Sequence, residues 1–147
     1  MPIKLDDTMA KFLAQAIGDG AIPLVGTSSK AGDPQISPKG TVAVFDEDTL
    51  CFWERSYRTS YEALAENPKV VIYYRNPARI KEVPYRNAAI RFRGVARVTT
   101  DEAARERAWA LSPKAEQDRD PQRKGAAILV RIDRVEDLGG DVIMQRD

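Results

Sequence analysis

The 147-residue sequence contains no histidine and one cysteine, Cys51. Without histidine the chain has no imidazole general base, no Ser-His-Asp or Cys-His nucleophile and no His-ligated metal or haem. One cysteine excludes an intrachain disulfide and a cysteine-rich zinc site. No apolar run approaches the roughly 20 residues that span a bilayer. The opening MPIKLDDTMAKF lacks the apolar stretch of a signal peptide. A cytoplasmic protein with no membrane partner is expected. A surplus of either charge is missing too: Lys and Arg number 23, Asp and Glu 22, for a net charge of +1. A dedicated nucleic-acid binder carries a basic excess, so none is expected here. Any catalysis then falls to an organic cofactor. A non-catalytic binding protein accounts for the same absences.

What is present is an ordinary globular composition, 43% apolar and 31% charged. The length fits a single domain over residues 1–147. The most informative stretch, Phe52 to Pro77, reads as strand, turn, short helix, turn and strand. Its turn, Arg55-Ser56-Tyr57-Arg58-Thr59-Ser60, brings two guanidinium groups and several hydroxyls to a helix start. Thr59 followed by Glu62 is a capping-box pattern, which predicts Thr59 as N-cap. Tyr61, Leu64 and Ala65 share a helix face, and Asn67-Pro68 stops the helix. A helix N-terminus favours an anion, and guanidinium grips phosphate bidentately. Arg58 and this turn therefore form a candidate phosphate site; the plainer reading is a common cap with solvated arginines.

The rest of the chain supplies the scaffold. Met9, Phe12, Leu13, Ala16 and Ile17 predict a helix over 8–17, capped by Asp7 or Thr8 and ended by Gly18 or Gly20. Strands are expected at 21–29, from Gln35, and at 41–45, 49–54, 69–75, 88–98 and 126–135. Ser37-Pro38-Lys39-Gly40 interrupts the second ladder, because proline has no N–H to donate. The continuous apolar centre of 69–75 predicts a strand covered on both faces, and Gly94 predicts a bulge or bend. Arg91, Arg93 and Arg97 share one strand face, either wet or paired with carboxylates. A second helix runs from Thr99-Thr100-Asp101-Glu102, with Thr99 and Glu102 as another capping box, to about Leu111. Residues 76–87 read as a polar loop and 114–125 as an exposed connection. Val142-Ile143-Met144 reads as an edge strand or a patch for a partner. Six or seven strands with two or three short helices point to a small β-barrel.

In this order and spacing the chain resembles the FMN-binding split-barrel superfamily of pyridoxamine 5′-phosphate oxidase and the small bacterial FMN-binding proteins. The resemblance covers roughly residues 9–138. It is carried by the leading helix, AIPLVGTSSKAGDPQISPKG, TLCFWERSYRTSYEALAENPKVVIYYRNP, AAIRFRGVARV and AAILVRIDRVEDL. It implies a mainly β fold, a six-stranded antiparallel split β-barrel, and a homodimer with FMN at its interface. By position, Ile36, Ser37, Pro38 and Lys39 lie along the flavin ring. Phe52, Trp53, Glu54 and Arg55 give backbone contacts, and Arg58 and Thr59 hold the phosphate with help from Arg55 and Ser56. The implied activity is an FMN-dependent oxidoreductase using flavin N5, with a small-molecule substrate or electron donor. Similar folds take the deazaflavin F420, and a non-catalytic FMN-binding or electron-transfer protein is the other alternative. The Arg-x-His element of true pyridoxamine phosphate oxidases is missing, which argues against vitamin B6 oxidation. Lys39 is expected either near the pyrimidine edge or as a solvated turn lysine. Trp53 and Cys51 are expected in the core. Tyr57, Tyr85 and the 142–144 tail are the expected interface anchors.

Overall fold

The computed structural model describes residues 2–147. Eight strands form: β1 (Leu24–Ser28), β2 (Pro34–Pro38), β3 (Ala43–Val44), β4 (Thr49–Glu54), β5 (Lys69–Arg75), β6 (Ala89–Thr99), β7 (Ala126–Glu136) and β8 (Val142–Gln145). They make one antiparallel sheet in the order β2-β1-β5-β6-β7-β4-β3, with β8 on β7. The end strands β2 and β3 are neighbours in sequence, joined by residues 39–42 alone. So short a link reaches only about 15–20 Å, so the sheet must curl until its two ends approach. The mainly β split-barrel class is as expected. The strand count is eight rather than six, because the two-residue β3 and the tail strand β8 also pair.

Period-2 alternation places the core. In β6, Ile90, Phe92 and Ala96 turn inward, while Arg93 and Arg97 are exposed. Inward residues of every long strand meet in one cluster that includes Val25, Leu50, Phe52, Ile72, Tyr74, Ile128 and Val130. Helix α1 (Asp7–Ala14) closes it with Met9, Phe12 and Leu13. The Phe12 ring lies 4.6 Å from Tyr74 and 5.5 Å from Tyr85. Tyr85 is thus turned into the core rather than outward as an interface anchor. Helix α2 (Ala16–Asp19) follows and ends at Gly20, whose φ of +72° suits a residue without Cβ.

Helix α3 (Thr59–Glu66) lies against β1, and helix α4 (Glu102–Leu111) packs on the outer face of β4 and β7. Cys51, Trp53, Ala108, Trp109, Ala127 and Leu129 form a second cluster there. It is β4 and β7, therefore, that are covered on both faces; β5 alternates buried and half-exposed residues. Cys51 is in the core as expected, and burial pushes its thiol pKa up to about 12. Helix α5 (Lys114–Gln117) completes the set.

The caps fall elsewhere than the residue patterns indicate. Asp6 caps α1, its Oδ1 accepting from Met9 N–H at 3.0 Å, in place of Asp7 or Thr8. Asp101 caps α4 by accepting from Ala104 N–H at 2.9 Å; Thr99 stays in β6, its Oγ1 accepting from Asp101 N–H. In each case an aspartate at the chain's turn reaches the free N–H groups first.

The bulge at Gly94 is present as a register shift between Arg93 and Gly94. Arg91 and Arg93 each donate to Glu136 at 3.0 Å, so these two are paired with a carboxylate. Burial raises the Glu136 pKa. Hydrogen bonds from Arg93 and Arg91 and the charges of Arg93 and Arg134 outweigh it, and the carboxyl is held below its ordinary value. Among the described residues no helix is long and apolar enough to cross a membrane.

Candidate functional site

β4 ends at Glu54, and the turn after it is folded by side-chain acceptors. Ser56 N–H donates to Glu54 Oε2 at 3.4 Å, and Arg58 N–H donates to Ser56 Oγ at 3.2 Å. Glu54 is 2% exposed. Its Oε1 accepts from Ser60 Oγ at 2.6 Å and its Oε2 from Lys39 Nζ at 2.7 Å. One carboxylate thus joins the β2–β3 link, the turn and α3. Lys39 is not a solvated turn lysine: its side chain is 15% exposed and held in this ion pair. Burying both charges is tolerable because each is matched and hydrogen-bonded.

The start of α3 differs from the capping box. Arg58 is the N-cap and no side chain caps it; Thr59 is already the first helical residue. Its φ of +26° is strained for a β-branched side chain. Tyr61 and Glu62 N–H both donate to Arg58 O, at 2.8 and 3.3 Å. Thr59 and Ser60 N–H have no acceptor among the described residues. Arg55 and Arg58 take part in none of the ion pairs formed by those residues. Two unmatched guanidiniums therefore stand beside a helix start with two free N–H groups, a combination suited to an anion.

Next to this turn lies a cleft of about 460 Å³, walled by Ile17, Ile22, residues 38–41, residues 53–56, Glu116 and Arg119. Its size is that of a small-molecule site, roughly 300–1,000 Å³. Of the residues singled out from sequence, Pro38, Lys39, Trp53, Glu54, Arg55 and Ser56 meet here. Arg58 and Thr59 sit on the exposed turn and do not line the cleft. Ser37 is half-buried in β2, its Oγ accepting from Gln35 at 3.2 Å. Ile36 is 69% exposed on the outer face of β2, and the Phe52 side chain points into the main core.

Trp53 is a core residue as expected, and it is pinned on several sides. Its Nε1 donates to Asp120 Oδ2 at 2.8 Å, its ring meets Trp109 edge-on at 5.1 Å, and Arg105 lies 4.9 Å over it. Asp120 also accepts from Lys124 N–H at 3.0 Å and Gly125 N–H at 2.8 Å. Burial raises the Asp120 pKa, but the hydrogen bonds from Trp53, Gly125 and Lys124 hold the carboxyl below its usual value. The 114–125 segment is thus not merely an exposed connection. It supplies Glu116, Arg119 and Asp120 to the site, three residues that sequence reading missed. Charged residues in a Pro-containing stretch carry no local sign that they meet Trp53, 67 positions away.

A larger hollow of about 640 Å³ lies at the acidic turn 46–48 beside Arg146. It holds none of the residues predicted for a site, and Arg146 there is paired with Asp48 and Asp133.

The family model for pyridoxamine 5′-phosphate oxidase matches residues 8–139. No curated protein sequence matches the chain. Among solved structures, HupZ from Group A Streptococcus has a TM-score of 0.66 at 20% identity, covering 93% of this chain and 96% of that one. A haem-binding protein from Mycobacterium smegmatis gives 0.63 at 18% identity, covering 89% of this chain and 54% of its own. An F420 reductase gives 0.56 at 20% identity, covering 79% and 89%. These likenesses establish a shared fold.

Proposed function

The chain belongs to the pyridoxamine 5′-phosphate oxidase family, and from that membership we propose that it is an FMN-dependent oxidoreductase acting on a small molecule. The observation that carries this reading is the turn at the start of α3: free N–H groups on Thr59 and Ser60, with Arg55 and Arg58 unpaired, beside a cleft of cofactor size. Arg58, Thr59 and the helix start hold the phosphate, with Arg55 and Ser56 assisting. The strained Thr59 is of the kind that clusters at binding sites. A bound flavin supplies hydride and single-electron chemistry. The chain's own part is to bind, orient and keep water out: Trp53 walls the cleft, and Lys39 and Glu54 fix its floor. With no histidine in the chain, oxidation of pyridoxamine phosphate is not the reaction proposed.

The test is an FMN titration followed by absorption spectroscopy. Wild type is expected to retain flavin. Arg58→Ala is expected to weaken binding roughly 10- to 100-fold, the worth of hydrogen bonds to a charged group. Unchanged affinity in that variant removes the phosphate assignment. A protein that retains F420 but not FMN is a deazaflavin reductase instead, and flavin retention without NAD(P)H turnover indicates a carrier.

We also propose that the chain works as a homodimer. Leu24 and Ile36 share the outer face of β1 and β2 and are 37% and 69% exposed, with Val71 and Tyr73 half-buried beside them. An apolar sheet face of this kind calls for a cover. A monomer mass by sedimentation equilibrium at micromolar concentration would sink this part of the reading.

A further inference from the structure

Two carboxylates line the cleft, and only one is hydrogen-bonded. Glu54 is fully engaged, whereas Glu116 has no hydrogen-bond donor among the described residues. Its side chain is 15% exposed, and the nearest cation is Arg119 Nη1 at 3.7 Å, too far for a hydrogen bond. The Glu116 oxygens are not sealed from water, so the carboxylate is free to accept from a ligand donor in the cleft. Gly40 fixes where that donor goes. A Cβ at Gly40 would come within 3.0 Å of Glu116 Oε1 and 2.6 Å of Ile17 Cδ1, so the carboxylate lies against the backbone next to Lys39. Lys39 gives one N–H to Glu54 and has two to spare. The wall thus offers one acceptor accompanied by two donors, Lys39 and Arg119. A free cation is disfavoured, since Lys39, Arg55 and Arg119 outnumber Glu54 and Glu116 in the lining. A neutral N–H flanked by acceptors fits better.

We propose that Glu116 is the recognition residue for the imide edge of a pyrimidinedione ring. It accepts the N–H between two carbonyls, and Lys39 and Arg119 meet those carbonyls. The edge is common to FMN and the deazaflavin F420. This assignment rests on the cofactor reading above and deepens it.

The experiment compares FMN with N3-methyl FMN, which lacks that N–H, by fluorescence titration of wild type, Glu116→Leu and Glu116→Gln. Wild type is expected to prefer FMN by roughly 10- to 100-fold. Glu116→Leu should lose the preference yet melt no lower than wild type, because the Glu116 side chain makes no hydrogen bond within the protein and its 3.7 Å ion pair with the exposed Arg119 is worth little. Glu116→Gln, whose amide oxygen still accepts, should recover part of it. In a parallel arm with F420, Glu116→Leu should bind more weakly than wild type by a similar factor if the deazaflavin is the occupant. Equal wild-type affinity for FMN and its methylated form, or an unmoved F420 affinity in Glu116→Leu, overturns the assignment and leaves the cofactor reading standing. Binding of neither FMN nor F420 overturns both.

Discussion

Glu54→Ala is expected to lose about 3 kcal/mol of stability in a denaturant titration. The carboxylate is 2% exposed and binds Lys39 at 2.7 Å, Ser60 at 2.6 Å and Ser56 N–H at 3.4 Å. Removing one partner of a buried pair leaves the other unmatched, which costs about 3–5 kcal/mol. The Lys39 side chain retains 15% exposure, so water recovers part of the loss and the lower end applies. Glu54→Gln separates charge from shape: its oxygen still accepts from Ser60, and an intermediate loss of about 1–2 kcal/mol is expected. If Glu54→Ala unfolds within about 0.5 kcal/mol of wild type, the carboxylate is not the tie between the two halves of the cleft.

Gly94→Ala is expected to cost as much, by a different route. An added Cβ would lie 2.3 Å from Arg131 O, 2.9 Å from Val130 Cγ1 and 3.1 Å from the Arg131 carbonyl carbon. Two of these are backbone atoms of β7, the strand that carries β6 on one side and β4 on the other. They cannot retreat without breaking a ladder, so the cost falls at or above the upper end of overpacking, about 3 kcal/mol. The conformation at Gly94 is not of positive φ; space is the whole argument. Gly18→Ala is the control. Nothing lies within 4 Å of a Cβ there, and alanine in a helix is favoured by up to about 1 kcal/mol. Equal midpoints for Gly94→Ala and wild type would mean that β6 and β7 separate freely at the bulge.

Local pattern was enough for most of the scaffold. Alternation in 88–98 gave β6 with its bulge, the i, i+3, i+4 spacing of Met9, Phe12 and Leu13 gave α1, and Asn67-Pro68 ended α3. What failed locally was the choice among neighbouring polar residues at helix starts, where the path of the chain decides which oxygen reaches the N–H groups. The double cover of β4 and β7 was likewise invisible: it depends on where α4 lands, not on β4 or β7 alone. In the site, the cleft side of the Phe52 to Ser56 segment could be anticipated from its place before a helix start. Its partners could not. Lys39 finds Glu54 from 15 positions away and Asp120 finds Trp53 from 67, and nothing in the spacing of charges announces such meetings.

The place of β7 in the sheet also governs how the chain can be made. β4 completes its main ladder with residues 126–131, and β6 pairs with 127–136. A ribosome delivers both strands long before it delivers their shared neighbour. Until then Leu50 and Phe52 on β4, and Ile90 and Phe92 on β6, have no closed interior to enter, and the open edges of both strands invite foreign pairing. Folding is therefore largely held back until residues 126–136 have emerged. The interval of exposure is set by the rate at which the stretch between Thr99 and Ala126 is synthesised.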